Sequence, residues 1–214
     1  MSCWALIPVK APGLGKTRLA SALDPDEREA LVSGMLRHVL DTVSGCRAIQ
    51  RVCVLGPARA NLGSKVLRFD DPGPDLNGAL ESTMAAITAA GPERLLVLPA
   101  DLPCLALADV ERLANLGPET IGIAPDRHRT GTNALSLPLP TGIWFPFSFG
   151  QDSFSTHCEN AKNRGLAVEA ILSCGLEKDI DDPVDLADAV RVLRHVYNPA
   201  LNRRPRSGGR KQPT

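Results

Sequence analysis

Two groups of charged side chains in this sequence could do chemistry, and each follows a point where an apolar run gives way to a turn. Lys10, Lys16 and Arg18 come after the apolar stretch Trp4 to Val9 and flank the turn Ala11-Pro12-Gly13-Leu14-Gly15. Asp101 follows the run Leu95 to Ala100, and Asp179 and Asp181 close a short segment read as extended, far along the chain. Glycines let a backbone approach phosphate oxygens, amides at a helix start donate to them, and cationic side chains neutralise them. Carboxylates meeting such a loop suit Mg²⁺, a hard ion that takes oxygen ligands and shares them with substrate phosphates. The pattern points to a polyphosphate held as its metal complex.

Several other chemistries are excluded or disfavoured. A P-loop requires Gly-x-x-x-x-Gly-Lys-Ser/Thr, and counting back from Gly15-Lys16-Thr17 puts Lys10 where the first glycine belongs. No Ser/His/Asp order or Gly-x-Ser-x-Gly elbow supports acyl transfer. Thr130-Gly131-Thr132-Asn133 offers hydroxyls and a permissive backbone, and Gly150 and Ser153 offer donors at a turn, yet none has a partnered base. His128 and His157 read as a loop and a helix-surface histidine.

At 214 residues and 43% hydrophobic content the chain can bury one full core, which predicts a single domain over residues 1–201. Basic and acidic residues balance at 24 each, but residues 202–214 carry Arg203, Arg204, Arg206, Arg210 and Lys211 with no acid. Without that tail the body is net acidic, so nucleic acid is not an expected partner. The tail itself reads as disordered. The six cysteines show no metal-ligand spacing and are expected as reduced thiols in a cytoplasmic protein. No apolar run is long enough to span a membrane, and no signal peptide is evident.

The elements that must position these groups alternate. Trp4–Val9, Arg51–Leu55, Lys65–Phe69, Arg94–Ala100 and Ile121–Ala124 read as strands. Asp24-Pro25-Asp26-Glu27 forms a capping box before a helix running to Val43, with Leu31, Met35 and Val39 on one face. Helices are also expected after Asp75, from Asp109 to Leu116, over 154–164, and after Asp182-Pro183. The result is an α/β fold, a doubly wound, mostly parallel sheet whose ligands lie beyond the strands' carboxyl ends. Four of the five phenylalanines crowd into Phe145 to Phe154, which is expected to mark a small hydrophobic lobe.

Six blocks in order, Ile7-Pro8-Val9-Lys10 with Gly15-Lys16-Thr17-Arg18, Asp75-Leu76-Asn77-Gly78, Pro99-Ala100-Asp101-Leu102-Pro103, Pro125 to Asn133, Phe149-Gly150-x-x-Ser153-Phe154 and Asp179-Ile180-Asp181, resemble the 2-phospho-L-lactate guanylyltransferase family of coenzyme F420 biosynthesis. The resemblance implies a MobA-like nucleotidyltransferase fold. The implied activity moves GMP from GTP to 2-phospho-L-lactate, phosphoenolpyruvate or 3-phospho-D-glycerate, releasing pyrophosphate. It gives Lys10, Lys16 and Arg18 to the GTP phosphates and places Asn77 and Gly78 against the nucleotide. Asp101, Asp181 and Asp179 are given to Mg²⁺, and Thr132, Gly150 and Ser153 to the acceptor acid. A downstream transferase receiving the GDP-linked product is an implied partner. The family pattern Phe-Gly-Pro-Gly-Ser departs here to Gln151-Asp152 between Gly150 and Ser153, which places an acid beside the expected acceptor anion. The alternatives are a molybdopterin-type nucleotidyltransferase and a non-catalytic GTP-binding protein.

Overall fold

The computed structural model describes residues 2–59, 62, 63, 65–70, 75–139 and 145–196, with side chains of the last helix as far as Ala189. The basic tail lies outside the described residues. A seven-stranded sheet runs in the order β3-β2-β1-β4-β6-β5-β7. Its strands are β1 (Cys3–Pro8), β2 (Ile49–Leu55), β3 (Val66–Phe69), β4 (Arg94–Val97), β5 (Thr120–Pro125), β6 (Thr132–Pro138) and β7 (Ala167–Ala170). All pairings are parallel except those of β6, which runs antiparallel to both β4 and β5.

Alternation along the strands sends side chains to two cores. Ala5, Ile7, Val52, Val54, Leu96 and Leu98 meet α1 (Pro25–Gly45) and α3 (Leu107–Ala114) on one face. Leu6, Cys53, Leu55, Leu95 and Val97 meet α2 (Leu76–Ala89) and α4 (Ser153–Lys162) on the other. The phenylalanines form no separate lobe. Phe145 and Phe147 are each 4% exposed and pack into this second core, with Phe149 and Phe154 against it.

The capping box at Asp24 forms as expected: its carboxylate accepts from the Glu27 amide, and Glu27 returns the bond to the Asp24 amide. The cationic loop leads into only a five-residue 3₁₀ turn, Thr17–Ser21. Strand β6 was not foreseen, nor were β7 and the short α5 (Cys174–Glu177). Asp179 to Asp181 is an irregular segment rather than a strand, leading into α6 (Pro183–Val196).

A third, small core matters most for the site. Leu19, Leu31, Met35, Ile180, Leu186 and Ala189 come from the 3₁₀ turn, α1, the segment before α6, and α6 itself. Leu19 lies three residues beyond Lys16, and Ile180 immediately precedes Asp181. Burying both fixes two distant stretches of chain against one another. Among the described residues no helix is long and apolar enough to cross a membrane. All six cysteines are free thiols.

Candidate active site

The loop after β1 is held from below. Gly56 has φ 144° and a Cβ there would sit 2.2 Å from the Val9 carbonyl oxygen, so only glycine permits this approach. The Glu29 carboxylate accepts from the Gly13 amide at 3.0 Å and pairs with Arg59 at 2.7 Å, while Arg59 also donates to the Lys10 carbonyl. Lys10 and Arg18 are exposed. Lys16 adopts left-handed backbone at φ 56°, a conformation costing roughly 1–3 kcal/mol for a non-glycine residue.

That backbone turns the Lys16 ammonium inward, between two carboxylates. Nζ donates to Asp101 and, at 2.8 Å, to Asp181. Its side chain is only 9% exposed, whereas those of Asp101 and Asp181 are 26% and 52% exposed. Water therefore reaches the acids from outside while the cation is sealed behind them. Burial pulls the Lys16 pKa down, but the charges and hydrogen bonds of Asp101 and Asp181 outweigh it and leave it raised. Asp179 is pushed up to about 6 by burial and by the charges of Asp101 and Asp181. Asp185 in turn accepts from the amides of Asp181 and Asp182 and pairs with Arg127, and Asp182 caps α6. This sets the backbone on which Asp181 stands.

Among the described residues no three His, Cys, Asp or Glu side chains form a cluster suited to a metal ion. What the structure does assemble is one pair of carboxylates sharing a single cation. A cavity of about 620 Å³ opens beside them, lined by Pro8, Lys10, Gly15, Lys16, Arg18 and Asp101 among others. Leu14 and Leu76 also line it and are 67% and 43% exposed. Sequence reasoning gave these two leucines no role, although large apolar residues at a polar turn and at a helix start are the available signal. A volume of this size accommodates a nucleotide-sized ligand.

Asn77 and Gly78 do not line that cavity through free polar groups. The Asn77 amide closes on Phe149, accepting from its N–H at 2.8 Å and donating to its carbonyl at 3.1 Å. The Gly78 amide is spent on the Asp75 cap at 2.9 Å. Asn77 thus ties the start of α2 to the loop that carries Gly150.

The unforeseen β6 carries Thr132 at its start. Val97 of β4 pairs with Leu135 of β6 in antiparallel register, so the beginning of β6 lies beside the end of β4. Thr132 is 8% exposed, and its hydroxyl meets His157 Nδ1 at 2.9 Å. Ser153 opens α4 and is buried, Asp152 before it is left-handed at φ 52°, and Gly150 has φ 136°. His157 is not on a helix surface but fully buried, against the rings of Phe145 and Phe149 at 5.9 and 5.0 Å. Its signal was the spacing Ser153, His157, Ala161, which marks the inward face of α4 without a single large aliphatic residue.

The fold has matches among solved structures. A nucleotide-diphospho-sugar transferase structure from Desulfovibrio desulfuricans G20 superposes with TM-score 0.70 at 18% identity, covering 92% of this chain and 99% of that one. A CMP:2-keto-3-deoxy-manno-octonic acid synthetase complexed with CTP gives 0.58 at 14%, covering 91% and 99%. Sequence carries the assignment further. The family described as guanylyl transferase CofC like matches residues 3–194. Phosphoenolpyruvate guanylyltransferases of Rubrobacter xylanophilus and Sphaerobacter thermophilus are 40% and 36% identical, covering 87% and 88% of this chain and 93% and 92% of their own. A 2-phospho-L-lactate guanylyltransferase of Methanothermobacter thermautotrophicus is 33% identical, covering 89% and 85%. The chain belongs to the CofC family and is a guanylyltransferase of coenzyme F420 biosynthesis.

Proposed function

We propose that this protein transfers GMP from GTP to phosphoenolpyruvate and releases pyrophosphate, acting in the cytoplasm and passing its GDP-linked product to a separate transferase. The observation carrying this reading is the Lys16 ammonium held between Asp101 and Asp181 on the wall of a nucleotide-sized cavity. The choice of acid is supported by relatives at 36–40% identity that are phosphoenolpyruvate guanylyltransferases.

An acceptor phosphate carries close to two negative charges at neutral pH and is already a nucleophile, so no catalytic base is needed. Its oxygen forms a bond to the α-phosphorus, and the bond from that phosphorus to the bridging oxygen breaks with its electron pair leaving on pyrophosphate. Lys10, Lys16 and Arg18 hold the triphosphate and stabilise the charge that leaves. Thr132, Gly150 and Ser153 hold the acid. Asp101 and Asp181 suit Mg²⁺, which binds through one or two carboxylates plus substrate phosphates, and they already converge on one cation. Asp179 is assigned as a third oxygen donor to Mg²⁺. The metal supplies charge stabilisation on the phosphates.

The test is pyrophosphate release from GTP with phosphoenolpyruvate, 2-phospho-L-lactate or 3-phospho-D-glycerate supplied singly. Release requiring both GTP and phosphoenolpyruvate is expected. GTP binding without turnover on any acid would support the silent binder.

A further inference from the structure

His157 is a buried titratable group that the transfer chemistry does not use, and its two nitrogens are both spoken for. Nε2 lies 3.0 Å from the backbone N–H of Ser148, and Nδ1 lies 2.9 Å from the Thr132 hydroxyl. A backbone N–H only donates, so Nε2 must present its lone pair. A neutral ring then carries its proton on Nδ1, and Thr132 Oγ1 must accept that proton's hydrogen bond. Burial agrees with neutrality, lowering the His157 pKa from 6.5 to about 4. Among the described residues the Thr132 hydroxyl forms no other hydrogen bond, so its own proton is left to donate elsewhere.

We propose that His157 is a positioning residue for the acceptor acid: the Ser148 N–H fixes its tautomer, and its Nδ1–H fixes Thr132 as a donor toward a substrate carboxylate or phosphate oxygen. The inference rests on the reading of Thr132 as an acceptor contact. Without His157 the threonine hydroxyl could rotate and donate inward, and an anion would then face its lone pairs. The ring cannot drift, because Phe145 and Phe149 pack on it and α4 holds it at full burial. The Ser148 amide that sets the tautomer adjoins Phe149, whose backbone Asn77 clamps on both sides. Ring, hydroxyl and acceptor loop are therefore one hydrogen-bonded unit, and it contains no formal charge.

The test combines a spectroscopic and a kinetic reading on the full chain. Nitrogen-15 chemical shifts of His157 in the wild-type protein are expected to show a neutral ring protonated at Nδ1. His157→Gln can place its carbonyl oxygen where Nε2 accepts from Ser148 but puts no N–H at the Nδ1 position beside Thr132, and is expected to raise KM for the acid about tenfold, the cost of one hydrogen bond to a charged group, while KM for GTP holds. His157→Asn, whose amide nitrogen can occupy the Nδ1 position, is expected to recover most of that loss. Thr132→Val is expected to match His157→Gln, and combining the two is expected to add nothing. Thermal midpoints of all variants identify any that fail to fold, and the tautomer is read without a variant. A ring protonated at Nε2, or fully additive effects in the double variant, would overturn the inference alone. Silence of the wild-type protein with every acid would overturn the functional reading, and with it the acid as the target of the hydroxyl, whatever the tautomer.

Discussion

On the proposed function, two regions of the molecule bind an anion by different physics. Around Lys16 the means are formal charges: an ammonium sealed to 9% exposure faces carboxylates at 26% and 52%, next to the exposed Lys10 and Arg18. Around Thr132 the means are neutral donors fixed by burial: His157 at 0% exposure, the aromatic rings, and a backbone amide. Charged groups can exchange one partner for another at modest cost where water reaches them, which suits a side that must admit a triphosphate and a divalent ion. Neutral hydrogen bonds in a dry core hold one geometry, which suits recognition of a small acid whose oxygen must be aimed. The charged side should therefore dominate rate, and the neutral side should dominate selectivity.

The largest expected effect tests the charged side. Asp101→Asn removes a charge from the pair that holds Lys16, and is expected to lower kcat/KM by roughly three orders of magnitude with the thermal midpoint retained. Steady-state pyrophosphate release and a melting curve check it. Near-normal activity would mean that Asp101 only anchors the loop. Lys16→Ala is expected to cost about a hundredfold in kcat. It should also strengthen Mg²⁺ binding to the nucleotide-free protein in calorimetry, since a competing cation has gone; weaker binding would contradict the exchange of partners.

The neutral side predicts a pH signature of opposite character. His157 has a folded pKa lowered to about 4, so as pH falls below its unfolded value near 6.5 the unfolded chain takes up the proton first. Its contribution to stability is thus complete above about pH 6.5 and lost progressively toward pH 4, a span of roughly 3 kcal/mol. The unfolding free energies of wild type and His157→Phe from urea titrations should diverge by this amount in total across that window. Parallel curves would show that the ring is not held neutral. The smallest effect lies away from both sides: Asp24→Ala should cost about 1 kcal/mol through loss of the α1 cap and leave both KM values unchanged.

The charged side was far more legible in the sequence than the neutral one. Lys16 and Asp101 announce themselves by charge at the ends of apolar runs, and Asp24 to Glu27 spells its cap in four letters. Strand β6 does not, because Thr132 to Pro138 is buried at every position and shows no alternation to mark it. With β6 unseen, the sequence did not show that Thr132 opens a strand antiparallel to β4. The phenylalanines advertised hydrophobicity but not its destination, so a separate lobe was expected where the main core continues. Arg94 was given no role of its own in its strand, yet it is fully buried and donates to Leu116, Gly117, Thr120 and Ser136, joining β4 to its neighbours. All but the Ser136 hydroxyl of these partners are backbone carbonyls, which any sequence supplies and none signals.

On the proposed function, one acid is selected and joined to GMP from GTP. Its most direct test is pyrophosphate release by the purified protein with GTP, Mg²⁺ and either phosphoenolpyruvate, 2-phospho-L-lactate or 3-phospho-D-glycerate, with CTP and ATP in place of GTP as controls. Release that requires GTP and is fastest with phosphoenolpyruvate is predicted. Release with CTP in preference to GTP, or no release with any of the three acids, would contradict it.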